Sequence, residues 1–251
     1  MHNAHSLISI VLAAGLGTRM RPLSFYIPKI LLPVKGKPVI NYILDNLTEL
    51  DIDTHYIVAS EHLDVIEKYL RNTKLDNVKV VRGLGWETGG DLSLALEQIN
   101  RDEDAAVLNG DIITDVNMLE LYNMHKKKNA LSTISVLSLD DFEEAKRFGR
   151  IMLDKEENVI NFQEKLPTNG HGPFLVNTGF YIFDHRLIEK RNEYLIPRRF
   201  KLEAELFPRL VEEGKLKGHI SNIKYWWDVG TIDSYLKAEN FMINKKGVVP
   251  P

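Results

Sequence analysis

The run LISIVLA (7–13) is apolar at every position except Ser9 and rich in β-branched types. A strand with one wet face alternates polar and apolar residues. A run without a polar face must be covered on both sides, as a central strand of a parallel sheet is. HYIVA (55–59), VKVV (78–81) and AAVLN (105–109) repeat the signal. Between them, KPVINYILDNLTEL sets Val39, Ile40, Ile43, Leu44, Leu47 and Leu50 on one helical face, and HLDVIEKYLRN and DLSLALEQI are the next helical segments. This rhythm predicts an α/β fold, a mostly parallel sheet with helices on both faces.

After about residue 130 the rhythm changes. LSTISVLS, GRIMLD, NVINFQEK and FLVNTGFYIFD follow with few helices between them, predicting antiparallel or mixed strands beside the parallel set. KLEAELFPRLVEEG and TIDSYLKAENFMINKK are late amphipathic helices, the second with Thr231 as its N-cap. No linker or repeat divides the chain, so one domain is expected over 1–251.

A formal net charge of −3 gives no global basic field, which argues against a nucleic-acid partner. Any anion must be held by local charges. There is no cysteine, hence no disulfide or thiolate metal site. The first residues have neither a basic leader nor an apolar run long enough to span a membrane, so a soluble, cytoplasmic protein is expected, with self-association left open.

VLAAGLGTRMRP (11–22) carries the strongest local question. The dinucleotide fingerprint needs a third glycine where Met20 stands, and the phosphate loop needs Gly-Lys-Ser/Thr, which the chain lacks. Gly15 and Gly17 would let backbone N–H groups approach a phosphate or base, with Arg19, Arg21 and Lys29 as neutralising cations. An ordinary tight turn with solvated arginines explains the loop alone equally well. The eight histidines add little, since His62, His125 and His171 lack metal-ligand spacing. HKKKN (125–129) reads as a solvated helix end.

The longer stretch LAAGLGTRMRPLSFYIPKILLPVKGKPVINYIL resembles the signature of the sugar-1-phosphate nucleotidyltransferases, the NDP-sugar pyrophosphorylases. ETGGDLSLAL (87–96), VLNGDI (107–112), FGRIMLD (148–154), FQEKL (162–166), LVNTGFYIFD (175–184) and WWDVGTIDSYLKA (226–238) are similar to further family segments, so the likeness covers roughly 7–240. It implies a Rossmann-like three-layer fold with a nucleotide-binding half over about 7–130 and a sugar-binding half over about 131–240. It implies attack of a sugar 1-phosphate on the α-phosphorus of a nucleoside triphosphate, with release of pyrophosphate.

Residue by residue, the resemblance implies that Leu12, Ala13, Ala14, Gly15, Gly17 and Thr18, with Glu87, Thr88, Gly89 and Gly90, approach the nucleotide. Arg19, Lys29 and Lys165 would be the catalytic cations. Asp111 and Asp228 would hold Mg²⁺, and Asn109, Gly149, Glu164, Asn177 and Thr178 would contact the sugar. Taken singly, Asp111 could be a turn residue after a strand and Lys165 a solvated lysine. Asp228, beside two tryptophans, needs a partner in any case.

Departures from the family pattern gather where base and sugar would lie: Ala14, Glu87, Asp91, Phe148, Arg150 and Leu166. Ala14 and Glu87 resemble a uridylyltransferase branch acting on amino-sugar phosphates. The strand FLVNTGFYIFD resembles the glucose-1-phosphate thymidylyl- and uridylyltransferases, which favours dTTP or UTP with glucose 1-phosphate; mannose-1-phosphate guanylyltransferases share the framework. The absence of hexapeptide repeats predicts no C-terminal β-helix and a single activity. A non-catalytic nucleotide-sugar sensor would be expected to lose one of the charged residues, and none is lost. A glycosyltransferase would be expected to carry Asp-x-Asp, where this chain has Asp111-Ile112-Ile113-Thr114-Asp115.

Overall fold

A computed structural model of the chain describes residues 7–163 and 172–244. β1 (Leu7–Leu12) runs through the middle of a nine-stranded sheet. Its side chains divide by parity. Leu7 and Val11 join one apolar cluster, and Ile8 and Ile10 join another on the opposite face. That double burial is the reason the segment has no polar face.

A loop with three single 3₁₀ turns and the small hairpin of β2 (Pro33–Val34) and β3 (Lys37–Pro38) leads into α1 (Val39–Asp45). Then come β4 (Ile52–Ala59), α2 (Leu63–Asn72), β5 (Val78–Arg82), α3 (Glu87–Ile99) and β6 (Asp104–Asn109). β4 pairs in parallel with β1 and β5 with β4, after which α3 returns the chain so that β6 pairs in parallel with the other side of β1. Chain direction across the sheet thus reverses between β1 and β6. In open α/β sheets the carboxyl ends of strands at such a reversal bracket the ligand.

β7 (Ile112–Thr114), α4 (Met118–Lys128), β8 (Ser132–Leu139), α5 (Phe142–Ala145), β9 (Arg150–Leu153), β10 (Val159–Gln163) and β11 (Phe174–Phe183) follow. β11 is antiparallel to β6, β8 and β9, and so joins the second half of the chain to the first in one sheet. The chain continues through α6 (His185–Glu189), α7 (Arg191–Tyr194), a π-helical turn at Leu202–Leu206 and α8 (Phe207–Glu212) to β12 (Leu216–Ile220), β13 (Trp226–Asp228) and α9 (Ile232–Asn244).

Helices cover both faces. α1, α2 and α4 supply Ile40, Ile43, Ile66 and Leu121 to the cluster of Leu7, whereas α3, α6 and α8 supply Leu92, Leu96, Leu187 and Phe207 to that of Ile8. This is the expected Rossmann-like three-layer arrangement, parallel in the first half and antiparallel where the second half is added. Thr231 caps α9, its Oγ1 accepting the Ser234 N–H at 3.1 Å. Two short strands that the sequence pattern did not reveal, β7 and β13, pair antiparallel with each other and prove decisive for the site.

Candidate active site

The glycine loop follows β1 at the switch point. Gly17 has φ +58°, and a Cβ there would stand 3.0 Å from Ser24 Cβ and 3.4 Å from Lys29 Cγ. Glycine is therefore required twice over, for the left-handed conformation and for the approach of the Lys29 stem. Ser24 Oγ secures the turn by donating to the Gly17 carbonyl at 2.8 Å. A Cβ on Gly15 would meet nothing within 4 Å, so the space above it is open.

Lys29 Nζ donates to Asp111 Oδ2 at 2.6 Å. Asp111 lies just beyond β6, and Asp228 ends β13, whose pairing with β7 sets Asp228 opposite Ile112. The Val229 N–H donates to the Asp111 carbonyl at 2.8 Å, closing the same ladder. A Cβ on Gly230 would stand 2.6 Å from Asp228 Oδ1, 3.4 Å from an Arg19 Nη and 3.5 Å from Asp111 Oδ2. Two carboxylates and a guanidinium thus surround one small volume.

Their electrostatics differ. Burial opposes ionisation of Asp111, but the Lys29 ammonium and the Arg19 guanidinium outweigh it and hold its pKa below the usual carboxylate value. Burial, reinforced by the charge of Asp111, raises the pKa of Asp228 despite the Gly230 N–H and Arg147. Arg147 lies 3.1 Å from Asp228 Oδ2 and over the Phe148 ring. Two adjacent carboxylates of incompletely compensated charge offer hard oxygen ligands, a donor set that fits a divalent cation such as Mg²⁺.

Two contiguous cavities open from this point. One, of about 510 Å³, is walled by the loop from Leu12 to Arg19, with Ala13, Ala14, Gly15, Gly17 and Thr18, and by Lys29, Asp91 and Asp111. The other, of about 870 Å³, is lined by Arg147, Gly149, Asn177, Thr178, Lys201 and Asp228 among others. Arg19, Glu87, Thr88, Asn109 and Asp111 belong to both walls. Asn109 Oδ1 is closed off from solvent with no hydrogen-bond partner among the described residues, so it is other atoms of Asn109 that face the cavities.

Several expected contacts are committed to the fold instead. Gly89 and Gly90 do not line either cavity: a Cβ would stand 2.3 Å from the Phe200 ring or from the Arg198 carbonyl, and both N–H groups donate to the Phe200 carbonyl. They exist to let the segment around Phe200 lie against α3. Thr88 Oγ1 donates to Glu203 at 2.7 Å and accepts from the Leu202 N–H, so it fastens that segment. Thr178 is fully buried, its Oγ1 donating to the Ser135 carbonyl at 3.0 Å. Asn177 accepts from the Gly179 N–H and donates to the Tyr181 hydroxyl, shaping the irregularity in β11. Glu87 keeps its place on the wall at φ +65°, a strained setting for this residue, and pairs with Arg199 at 2.9 Å. Glu164 and Lys165 lie outside the described residues, as does Leu166.

Sequence reasoning missed Arg147, Lys201, Glu203 and Arg199. Only Arg147, next to the FGR turn, had a nearby signal. HKKKN is a helix end, closed by Asn129 at φ 52°, but it is not simply solvated: His125 is buried and Lys126 donates to Asp104 Oδ2 at 2.8 Å.

The family model described as nucleotidyl transferase matches residues 8–245. The chain belongs to the nucleotidyl transferase family. Among curated relatives, the mannose-1-phosphate guanylyltransferase of Mycobacterium tuberculosis is 27% identical over 98% of this chain and 67% of its own length. The UTP–glucose-1-phosphate uridylyltransferase of Synechocystis is 28% identical over 95% of this chain and 64% of its own. The bifunctional protein GlmU of Methanocaldococcus jannaschii is 31% identical over 94% of this chain and 54% of its own. The chain thus spans between half and two thirds of the length of these relatives. Among solved structures, HddC from Yersinia pseudotuberculosis superposes with TM-score 0.74 at 25% identity, over 93% of this chain and 98% of that one. A second structure of HddC, complexed with GMP-PN, gives 0.73. No helix among the described residues of this family member is long and apolar enough to cross a membrane.

Proposed function

We propose that this nucleotidyl transferase moves a nucleotidyl group from a nucleoside triphosphate to a sugar 1-phosphate and releases pyrophosphate. The observation that carries the reading is the convergence of Asp111, Asp228, Arg19 and Lys29 where the two cavities meet. Two anions must react there, so positioning and charge neutralisation are the main catalytic demands.

The smaller cavity takes the triphosphate, with its phosphates over Gly15 and against Arg19 and Lys29. Arg19 presents a planar fork suited to phosphate oxygens and neutralises charge on the departing pyrophosphate. Lys29 holds Asp111 in its ionised form and shares the phosphate charge. The larger cavity takes the sugar phosphate, with Gly149 and Asn109 in its wall to contact the sugar. Asp111 and Asp228 would hold Mg²⁺, which when bound supplies positive charge to the phosphates. Glu164 and Lys165 are proposed to serve the sugar and its phosphate.

Glucose 1-phosphate is the sugar favoured by the residue pattern, while the relatives' names span guanylyl and uridylyl transfer. The test is pyrophosphate release by the purified chain with Mg²⁺, over ATP, GTP, CTP, UTP and dTTP against glucose, mannose, galactose and N-acetylglucosamine 1-phosphates. Release that requires both substrates supports the reaction. Tight binding of a nucleotide sugar with no turnover in any combination would point to a sensor instead.

A further inference from the structure

Asp91 stands in the first turns of α3, 3% exposed, in the wall of the smaller cavity. Its Oδ1 accepts the Leu84 N–H at 2.7 Å, and no ion pair or second hydrogen bond is made to it among the described residues. Its second oxygen, Oδ2, has no hydrogen-bond partner among the described residues and is not sealed off from the cavity, so it can accept from a ligand bound there. The surrounding residues are small: a Cβ on Gly83 would fall 2.9 Å from both Ala14 Cβ and Asp91 Oδ1, so even one methyl group there would crowd the carboxylate.

The rest of the cavity says which part of a nucleotide reaches it. Lys29, Arg19 and Asp111 occupy the phosphate end, beside Gly110 and Gly230, while Asp91 lies with Gly83 and Ala14 on the α3 side of the loop. Resting on the reading of this cleft as a nucleotide site, we infer that Asp91 is a specificity-determining residue that reads the base and selects guanine. The chemistry is one of donor pattern. Guanine presents two adjacent donors, N1–H and the 2-amino group, to which a carboxylate can accept side by side. Uracil and thymine present a single N3–H between two carbonyl oxygens, and adenine and cytosine set a bare ring nitrogen beside their amino group. Each of these opposes an acceptor to the carboxylate. A site built on such hydrogen bonds rejects a ligand lacking them strongly, because the buried group is left unpaired. This departs from the pyrimidine preference that the residue pattern suggested, and the reason is a side chain whose surroundings only folding reveals.

The test is calorimetric binding of GTP, ITP, UTP and dTTP to the full chain with Mg²⁺ and no sugar phosphate, repeated on Asp91→Asn. Asparagine keeps an oxygen for the Leu84 N–H, so the loop retains its anchor. GTP should bind roughly 100-fold or more tighter than UTP and dTTP, and about 10-fold tighter than ITP, which lacks only the 2-amino group. Asp91→Asn should shrink both ratios to a few-fold, a change that a purely structural role would not produce. UTP or dTTP binding as tightly as GTP overturns the inference, as do unchanged ratios in the variant; the wild-type series decides even if the variant does not fold. A GTP preference without turnover on any sugar leaves the assignment standing and removes the reaction. Turnover best with UTP does the reverse, and no nucleotide binding overturns both.

Discussion

β6 carries an acid cluster at each end, and the two are built differently. At its start Asp104 receives Lys126 and the His185 N–H, while the neighbouring Asp184 is forked by Arg186 and faces His125. At its far end Asp111 has Lys29, but among the described residues Asp228 is met only by the half-exposed Arg147 and by the Gly230 N–H. Burial disfavours the charge on Asp104 and Asp184, yet their partners prevail and both pKa values are lowered; that of Asp228 is raised. Asp104, Asp184 and His185 are close enough together to suggest a metal site by composition. Their carboxylates are already neutralised by the chain, which makes the cluster a fastening between strands and helices. A functional acid pair is recognised by the charge that the protein leaves uncompensated.

The comparison is broken most directly by neutralising each cluster in turn. Asp111→Asn or Asp228→Asn should lower turnover by roughly 100- to 1,000-fold, in the range found when one transition-state contact is removed. Asp228→Asn should leave the melting temperature unchanged or raised, because like-charge repulsion is relieved. Pyrophosphate release and thermal melts together check this; a large loss of stability would place the far-end pair with the fastenings.

Asp104→Asn should do the opposite, costing about 2–3 kcal/mol of stability from lost charged hydrogen bonds, with turnover per folded molecule unchanged. Denaturant titration measures it. Acid sharpens the same contrast. The lowered carboxyls of Asp104 and Asp184 contribute stability that is fully present above their unfolded values near 4 and is lost as pH falls through their folded values. The melting temperature should therefore drop below about pH 4, less steeply in Asp104→Asn.

Arg147→Ala, like Asp228→Asn, should have little effect on stability. A half-exposed ion pair is worth only about 0–1 kcal/mol, so the melt should barely move. Arg147 lines the cavity proposed for the sugar phosphate, so the KM for that substrate should rise roughly 10-fold if its charge is used there. If KM stays the same while stability falls, Arg147 serves the fold alone.

What was legible in the sequence was whatever local patterning enforces. The near-continuous apolar run at 7–13 can satisfy burial only as a central strand, and the segments around Ile43, Ile66 and Leu96 only as helices laid on its faces, so the α/β architecture followed from period and polarity alone. Gly17 and the cations beyond it marked the loop for the same local reason, a positive φ and charges that need an anion.

Only the tertiary structure decided the rest. β7 and β13 are three residues each, too short for any periodicity, yet their pairing brings Asp228 to Asp111. Gly89, Gly90, Thr88 and Thr178, which the sequence resemblance set against the nucleotide and sugar, make close contacts or hydrogen bonds with Phe200, Glu203 and Ser135, partners distant in the chain. The sequence marked Asp91 as a departure from the family pattern but not its surroundings; folding buries it beside the loop with no counter-charge among the described residues. Periodicity records which face of an element avoids water, a property of neighbours along the chain. Compensation of charge depends on which distant groups arrive, and that exists only once the sheet has closed.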